Sequence, residues 1–180
     1  MLIRAADPSR DGAPCAALYA PFVRETAISF EEEPPTAAAM ADRIANVWHR
    51  YPWLVAERRG ELAGYAYASE HRSRPAYRWA ADVAVYVAPG HRRAGVARSL
   101  YARLLGLLAA QGIYSACAGI TLPNPASVAL HESLGFELVG VYRRIGFKVG
   151  AWHDVGWWQR ELLPAGEQPP DHPRAPAAQR

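Results

Sequence analysis

The sequence predicts a mixed α/β (α+β) domain, a mostly antiparallel sheet flanked by helices. Three observations predict it. The segments run strand, two helices, three strands, helix, strand, helix, two strands. One strand–loop–helix unit, residues 83–97, sits at the centre. The antiparallel run before that unit argues against a doubly wound parallel sheet, which alternates strand and helix throughout.

Length and composition agree. The chain has 180 residues, 51% apolar and 21% charged, enough for one real core. A disordered or collagen-like chain is excluded. No apolar run reaches the ~18–20 residues of a membrane span. The opening MLIRAADPSRD has no apolar centre of a secretory signal, so the expectation is a cytoplasmic protein with no membrane partner. Cys15 and Cys117 are too few for a disulfide framework or a four-cysteine zinc site, and they fit small buried apolar side chains. A net charge of +3 leaves no dominant nucleic-acid footprint, and no nucleic-acid partner is expected. Between His71 and Arg103, however, seven arginines face a single acid, Asp82. Such a stretch is either a solvated face or a site for a polyanionic small molecule.

Each element has a local reason. Leu2–Ala6 reads as a strand. Asp7 or Ser9 caps a helix running to about Thr26, with Ala16, Leu18, Tyr19, Phe22 and Val23 on its apolar side. Thr36 caps a second helix carrying Met40, Ile44, Val47 and Trp48, and Pro52 breaks the chain. Trp53–Glu57 and Glu61–Ser69 read as a hairpin around Arg58–Arg59–Gly60. The loop Glu70–Ala76 is polar and basic, and Trp79–Ala88 is β-rich up to Pro89–Gly90. Val96, Leu100, Leu104, Leu107 and Leu108 make one helical stripe that Gly112 closes. Ile113–Ile120 reads as a strand. Asn124 caps a short helix, Ala126–Leu134, and Phe136–Arg143 and Val155–Leu163 read as final strands joined around Gly150–Gly156. From Pro164 onward five of 17 residues are proline, so residues 1–163 form the domain and 164–180 a disordered tail.

The chemistry centres on the strand Val83–Val87, the turn to His91, and Arg92-Arg93-Ala94-Gly95-Val96-Ala97 opening a helix. A glycine-bearing loop lets backbone approach an anion, the first free amides and dipole of a helix favour phosphate, and arginines add charge-assisted bonds. The spacing fits neither a Walker loop nor G-x-G-x-x-G. It reads as a phosphate cradle or as an ordinary strand–turn–helix corner.

Val85-Tyr86-Val87-x4-Arg92-Arg93-Ala94-Gly95-Val96-Ala97 resembles the acetyl-CoA motif of the GNAT acetyltransferases, and Asn124 with Ala129-Leu130-His131 and Leu134-Gly135-Phe136 resembles their next motif. Tyr51–Glu57, Leu122-Pro123-Asn124, Gly146-Phe147-Lys148 and Trp152–Gly156 are similar to the phosphinothricin N-acetyltransferase family within it. The resemblance covers roughly residues 1–163. It implies the GNAT fold, a mixed seven-stranded sheet split between its fourth and fifth strands, with acetyl-CoA as co-substrate in the split. It implies acetylation of the α-amino group of phosphinothricin, methionine sulfoximine, methionine sulfone or related amino acids, and a homodimer. The cofactor-binding residues implied are Val85, Tyr86, Val87, Arg92, Arg93, Ala94, Gly95, Val96, Ala97, Arg98 and Asn124. Two positions depart from the family: Asp82 stands where glutamate is usual, and His131 where many members carry tyrosine.

Acetyl transfer needs a neutral amine, a polarised carbonyl and a protonated leaving thiolate. Asp82, the only acid between Glu70 and Glu132, is the candidate base, or else an ion-pair partner of a nearby arginine. His131 is a packing residue or, at its family position, either a general acid or a partner of Asp82 in a proton relay. Asn124 caps its helix, bonds the pantetheine, or does both. Arg72 and Arg74 bind the acceptor's carboxylate or are solvated charge. His153–Asp154 lacks a third ligand, so no metal is expected. The alternatives are acetylation of a protein N-terminus or other amine, and a non-catalytic acyl-CoA-binding module.

Overall fold

The computed structural model describes residues 1–164, 166 and 171–176. Strand β1 (Leu2–Ala5) leads to helix α1 (Pro8–Glu25), where the Asp7 side chain accepts the Ser9 amide. Helix α2 (Ala37–Trp48) starts the same way, with Thr36 accepting from Ala39. Strands β2 (Trp53–Arg58) and β3 (Glu61–Glu70) form the expected hairpin. Its turn residues Arg59 and Gly60 both have positive φ, matching the twist of the flanking strands. Then follow β4 (Ala80–Val87), α3 (Val96–Gln111), β5 (Ser115–Leu122), α4 (Pro125–Glu132), β6 (Glu137–Lys148) and β7 (Ala151–Glu161).

The seven strands lie in the order β1-β2-β3-β4-β5-β7-β6. Every neighbouring pair is antiparallel except β4 with β5. This is the mixed, mostly antiparallel sheet the sequence predicts. One core fills the α3 face, where Leu100, Leu104 and Leu108 meet Ala66, Ala68 and Ala81. The other fills the α1–α2 face, where Cys15, Val23, Met40 and Ile44 meet Trp53, Val55 and Tyr65. Both cysteines are buried and free, as expected. At Gly12 an added Cβ would lie 2.8 Å from Ala41 Cβ, so this glycine sets how closely α1 approaches α2. Among the described residues no helix is long and apolar enough to cross a membrane.

Two expectations need correction. The fifth strand starts at Ser115 rather than Ile113. The Gly112 amide bonds Ala109 O and the Ile113 amide bonds Leu108 O, so both residues belong to the helix stop. The last hairpin is longer than its composition suggests. Only Val149 and Gly150 turn, both at positive φ, and the aromatic stretch is strand, with Phe147 opposite Trp152 at 5.4 Å between ring centroids. The tail expected at 164–180 is described only in part. Residues 171–176 lie against the domain, where Trp79 Nε1 donates to Asp171 O and the Arg174 amide donates to Gln111 O. Residues 165, 167–170 and 177–180 lie outside the described residues.

Two polar clusters fix the helical layer on the sheet. Arg4 on β1 donates to both carboxylate oxygens of Asp11 on α1, at 2.6 and 2.7 Å, and to Glu57 on β2. Asp11 is 3% exposed and also accepts the Asp7 amide. Breaking such a set from one side leaves an uncompensated charge, typically at a cost of about 3–5 kcal/mol.

The second cluster holds the connection 26–36. Lys148, at the tip of β6, donates to the carbonyls of Val23, Ser29 and Glu31 at 2.7, 2.6 and 2.6 Å. Its ammonium uses all three donors on backbone. Tyr19 Oη pairs with Ser29 Oγ, and Arg43 forks onto Glu31. Lys148→Met should leave three carbonyls unpaired and release this segment. Hydrogen exchange should then show lost amide protection confined to residues 26–36 with β2–β4 unchanged; full protection in the variant would show that Lys148 does not hold the loop.

Candidate active site

The fourth strand cannot stay paired with the fifth. Register runs Ala80↔Ser115, Ala81↔Ala116, Asp82↔Cys117 and stops there. Beyond it, β4 keeps β3 on its other edge through Gly64↔Val87, while β5 keeps β7 through Leu122↔Asp154. Residues 83–87 and 118–122 diverge and leave strand edges facing a cleft. A cavity of about 70 Å³ marks its enclosed part, walled by Val83–Tyr86, Ala118–Thr121, Tyr101, Asn124 and His131. An open cleft encloses little volume. The larger cavity, about 420 Å³, lies at the other end of the sheet.

Asp82 stands at the apex of the divergence. Its Oδ1 lies 2.6 Å from His71 Nδ1, with 28% of the carboxylate side chain and 17% of the imidazole side chain exposed. Burial pushes the Asp82 carboxyl above its ordinary range, opposed by the hydrogen bond and charge of His71 and the charge of Arg72. The His71 ring packs edge-on against Tyr77 and Trp157, with centroids at 5.8 and 5.9 Å. Cys117, opposite Asp82, is buried, and its thiol is pushed up to about 11 by burial and then by the Asp82 charge. The donor atoms of His71, Asp82 and Cys117 lie within 4.8 Å of one another, the one three-donor group of metal-ligand type among the described residues. A protonated thiol is a poor ligand, and the His71–Asp82 bond already engages the other two. His153 and Asp154 do backbone work instead: His153 Nε2 donates to Lys148 O, and Asp154 accepts the Arg144 amide in the β6 bulge.

His131 lies on the cleft floor, 3% exposed. Its Nδ1 is 2.8 Å from Ser127 O, which can only accept, so Nδ1 carries the proton. Nε2 therefore accepts, and Tyr101 Oη, at 3.1 Å, is its donor. Burial lowers the His131 pKa against the raising effect of the Ser127 carbonyl, which keeps the ring neutral. His131 pairs with Tyr101 and not with Asp82, so the single relay suggested by the sequence becomes two separate pairs. Asn124 caps α4 by accepting the Ser127 amide at 3.2 Å and also lines the cleft.

At the open end, α3 begins with Gly95 at φ +78°, and Arg93 is also at positive φ. The first amide of the helix with a backbone carbonyl partner is that of Ser99, bonded to Gly95 O, so the amides of Val96, Ala97 and Arg98 face outward as donors. A Cβ at Gly95 would meet nothing within 4 Å, so the glycine answers a backbone need, not crowding within the chain. Side chains of the motif mostly point elsewhere. Val96 is 1% exposed in the core, Tyr86 packs on Tyr19 and Phe22, Arg92 lies over the Phe22 ring, and Arg98 donates to Ser133 Oγ. Val85 and Val87 pack partly against the core. Arg93 and Ala94 are exposed. The motif therefore offers backbone to the cleft.

The predicted pair Arg72 and Arg74 is divided. The Arg72 guanidinium lies over Trp157, 5.7 Å from the ring centroid, beside Asp82. Arg74 lines the large cavity on the other side of its loop. Two residues escaped the sequence reading. Tyr101 falls on the buried side of α3 with Leu104 and Leu108, where helical spacing marks it only as core. His71 sits in a polar loop, and only the fold brings it to Asp82.

Residues 3–157 match the Acetyltransferase (GNAT) domain family. The chain is 44% identical over 149 residues to a phosphinothricin N-acetyltransferase of Streptomyces viridochromogenes, covering 82% of this chain and 81% of the relative. It is 35% identical over 138 residues to an L-methionine sulfoximine/L-methionine sulfone acetyltransferase of Salmonella typhimurium, covering 71% and 81%. A GNAT superfamily phosphinothricin acetyltransferase from Sinorhizobium meliloti, solved in complex with AcCoA, superposes with a TM-score of 0.85 at 37% identity over 89% of this chain and 88% of that one. With the split sheet, the outward amides at the start of α3 and the carboxylate at the apex, these likenesses establish that the chain belongs to the GNAT acetyltransferase family.

Proposed function

We propose that this acetyltransferase moves the acetyl group of acetyl-CoA to the α-amino group of a small amino acid or analogue of the phosphinothricin, methionine sulfoximine or methionine sulfone type. The observation that carries the reading is the end of β4–β5 pairing at Asp82. It puts a carboxylate coupled to His71 at the apex of a cleft whose open end carries the amides of α3. The relatives' substrates support the acceptor class.

In this reading the amides of Val96–Arg98 and the flanking Arg92 and Arg93 hold phosphate, and the free edge of Val83–Val87 pairs with the pantetheine arm as an added strand. Asp82 takes the ammonium proton, with His71 as its partner. The Tyr101 hydroxyl, which donates to His131 Nε2 on the cleft floor, turns to donate to the departing thiolate instead. Arg72, beside Asp82, receives the acceptor's carboxylate. Leu138, Val139, Tyr142, Ile145, Phe147 and Trp152 stand more than half exposed on one hairpin, which supports a homodimer formed through β6–β7. Two free cysteines fit a reducing cytoplasm.

Gly95→Val should raise the acetyl-CoA dissociation constant at least tenfold, because a β-branched residue resists the left-handed backbone that presents the amides. Calorimetry giving an unchanged constant would remove this loop from the cofactor site.

Asp82→Asn should lower kcat/KM by about 10²–10⁴-fold, the usual value of a positioned acid or base, with acetyl-CoA affinity unchanged. Near-full activity from pH 6 to 9 would dismiss Asp82 as the base.

Methionine sulfone or phosphinothricin should be acetylated much faster than leucine or an alkylamine in a CoA-release assay, since a site that pairs polar groups rejects analogues lacking them. Arg72→Ala should raise KM for the amino acid more than Arg74→Ala does. Activity confined to peptide N-termini would replace the acceptor class.

A further inference from the structure

The cavity of about 420 Å³ at the other end of the sheet has no part in the proposed reaction. It lies under the loop 70–78, at the C-terminal end of α3. Arg50, Arg74, Arg78, Arg174, His49 and His172 line it, against one carboxylate, Glu70. Arg50 pairs with Glu70 at 2.8 Å, and Arg78 donates to the His172 ring and to Pro75 O. The guanidiniums of Arg74 and Arg174 have no carboxylate partner among the described residues.

A further observation distinguishes this place from a solvated basic face, the path of the tail. Residues 171–176 fold back over the cavity and are tied there by Trp79 Nε1 to Asp171 O, Gln111 Nε2 to Arg174 O at 2.7 Å, and the Arg174 amide to Gln111 O. These bonds bring Arg174 to a place that already gathers three arginines. Like charges collected around a cavity repel unless an anion sits between them.

We infer that this cavity is a second ligand site, separate from the acetyl-CoA cleft, that binds a small multivalent oxyanion of the phosphate class. Arg74 and Arg174 supply the free charge. Guanidinium forks suit tetrahedral oxyanions. The volume admits phosphate or pyrophosphate. The tail is part of the site, and the loop 70–78 carries it on one side while presenting His71 and Arg72 to the reaction cleft on the other.

The test uses the full chain saturated with CoA, so that the α3 loop is occupied, and titrates sodium phosphate or pyrophosphate by calorimetry, with sodium chloride at matched ionic strength as control. A saturable isotherm is expected with the phosphates and none with chloride. Arg74→Ala with Arg174→Ala should weaken binding at least tenfold; both side chains are exposed, so the variant should fold. Arg92→Ala with Arg93→Ala should leave it unchanged. The inference is overturned if chloride reproduces the heat, if the Arg74/Arg174 variant binds as wild type, or if only the Arg92/Arg93 variant loses binding.

Discussion

Everything at the reaction site depends on one parallel strand pair that holds for three residue pairs and then parts. In an otherwise antiparallel sheet, β4 and β5 are each fully satisfied on their outer edges, by β3 and β7. Their inner edges beyond Asp82 have no strand partner, which is costly in a closed interior and useful at an open cleft. The same parting places Asp82 at the apex, β4 along one wall, β5 along the other, and His131 on the floor.

The groups that surround the cleft are held by polar contacts across long stretches of sequence. His71 fixes Asp82, Tyr101 fixes His131, and Lys148 fixes the connection 26–36, whose Ile28 also lines the cleft. Each is a buried or half-buried polar group whose partner is already in place. Such preorganised groups need little reorientation when charge develops, the condition under which electrostatic stabilisation is strongest. The Asp82–His71 and Tyr101–His131 pairs are separate, one at the apex and one on the floor of the cleft.

Charge is distributed with the same economy. The arginine-rich stretch from His71 to Arg103 reads as one basic patch in sequence, but the fold sends it to three places. Arg72 joins the apex, Arg92 and Arg93 stand at the start of α3, and Arg74 with Arg78 faces the large cavity. Within the loop 70–78, Arg72 and Arg74 lie on opposite sides, which divides one run of charge.

The element order, the helix caps at Asp7, Thr36 and Asn124, the β2–β3 turn and the backbone-presenting motif at residues 92–97 were all legible in the sequence. Each depends on contacts within a few residues, such as a side-chain oxygen on an amide two or three positions ahead. The long β6–β7 hairpin was misjudged because its strands are specified by cross-strand packing, Phe147 on Trp152, and not by alternation. Asp82 and His131 were visible as unusual residues, but their partners were not. His71 lies 11 residues from Asp82, Tyr101 lies 30 from His131, and Lys148 reaches a carbonyl 125 residues away. No local period records such distances. Only the tertiary structure decided which polar groups meet, because burial on opposite faces of one sheet, and the parting of β4 from β5, choose the partners after the local elements have formed.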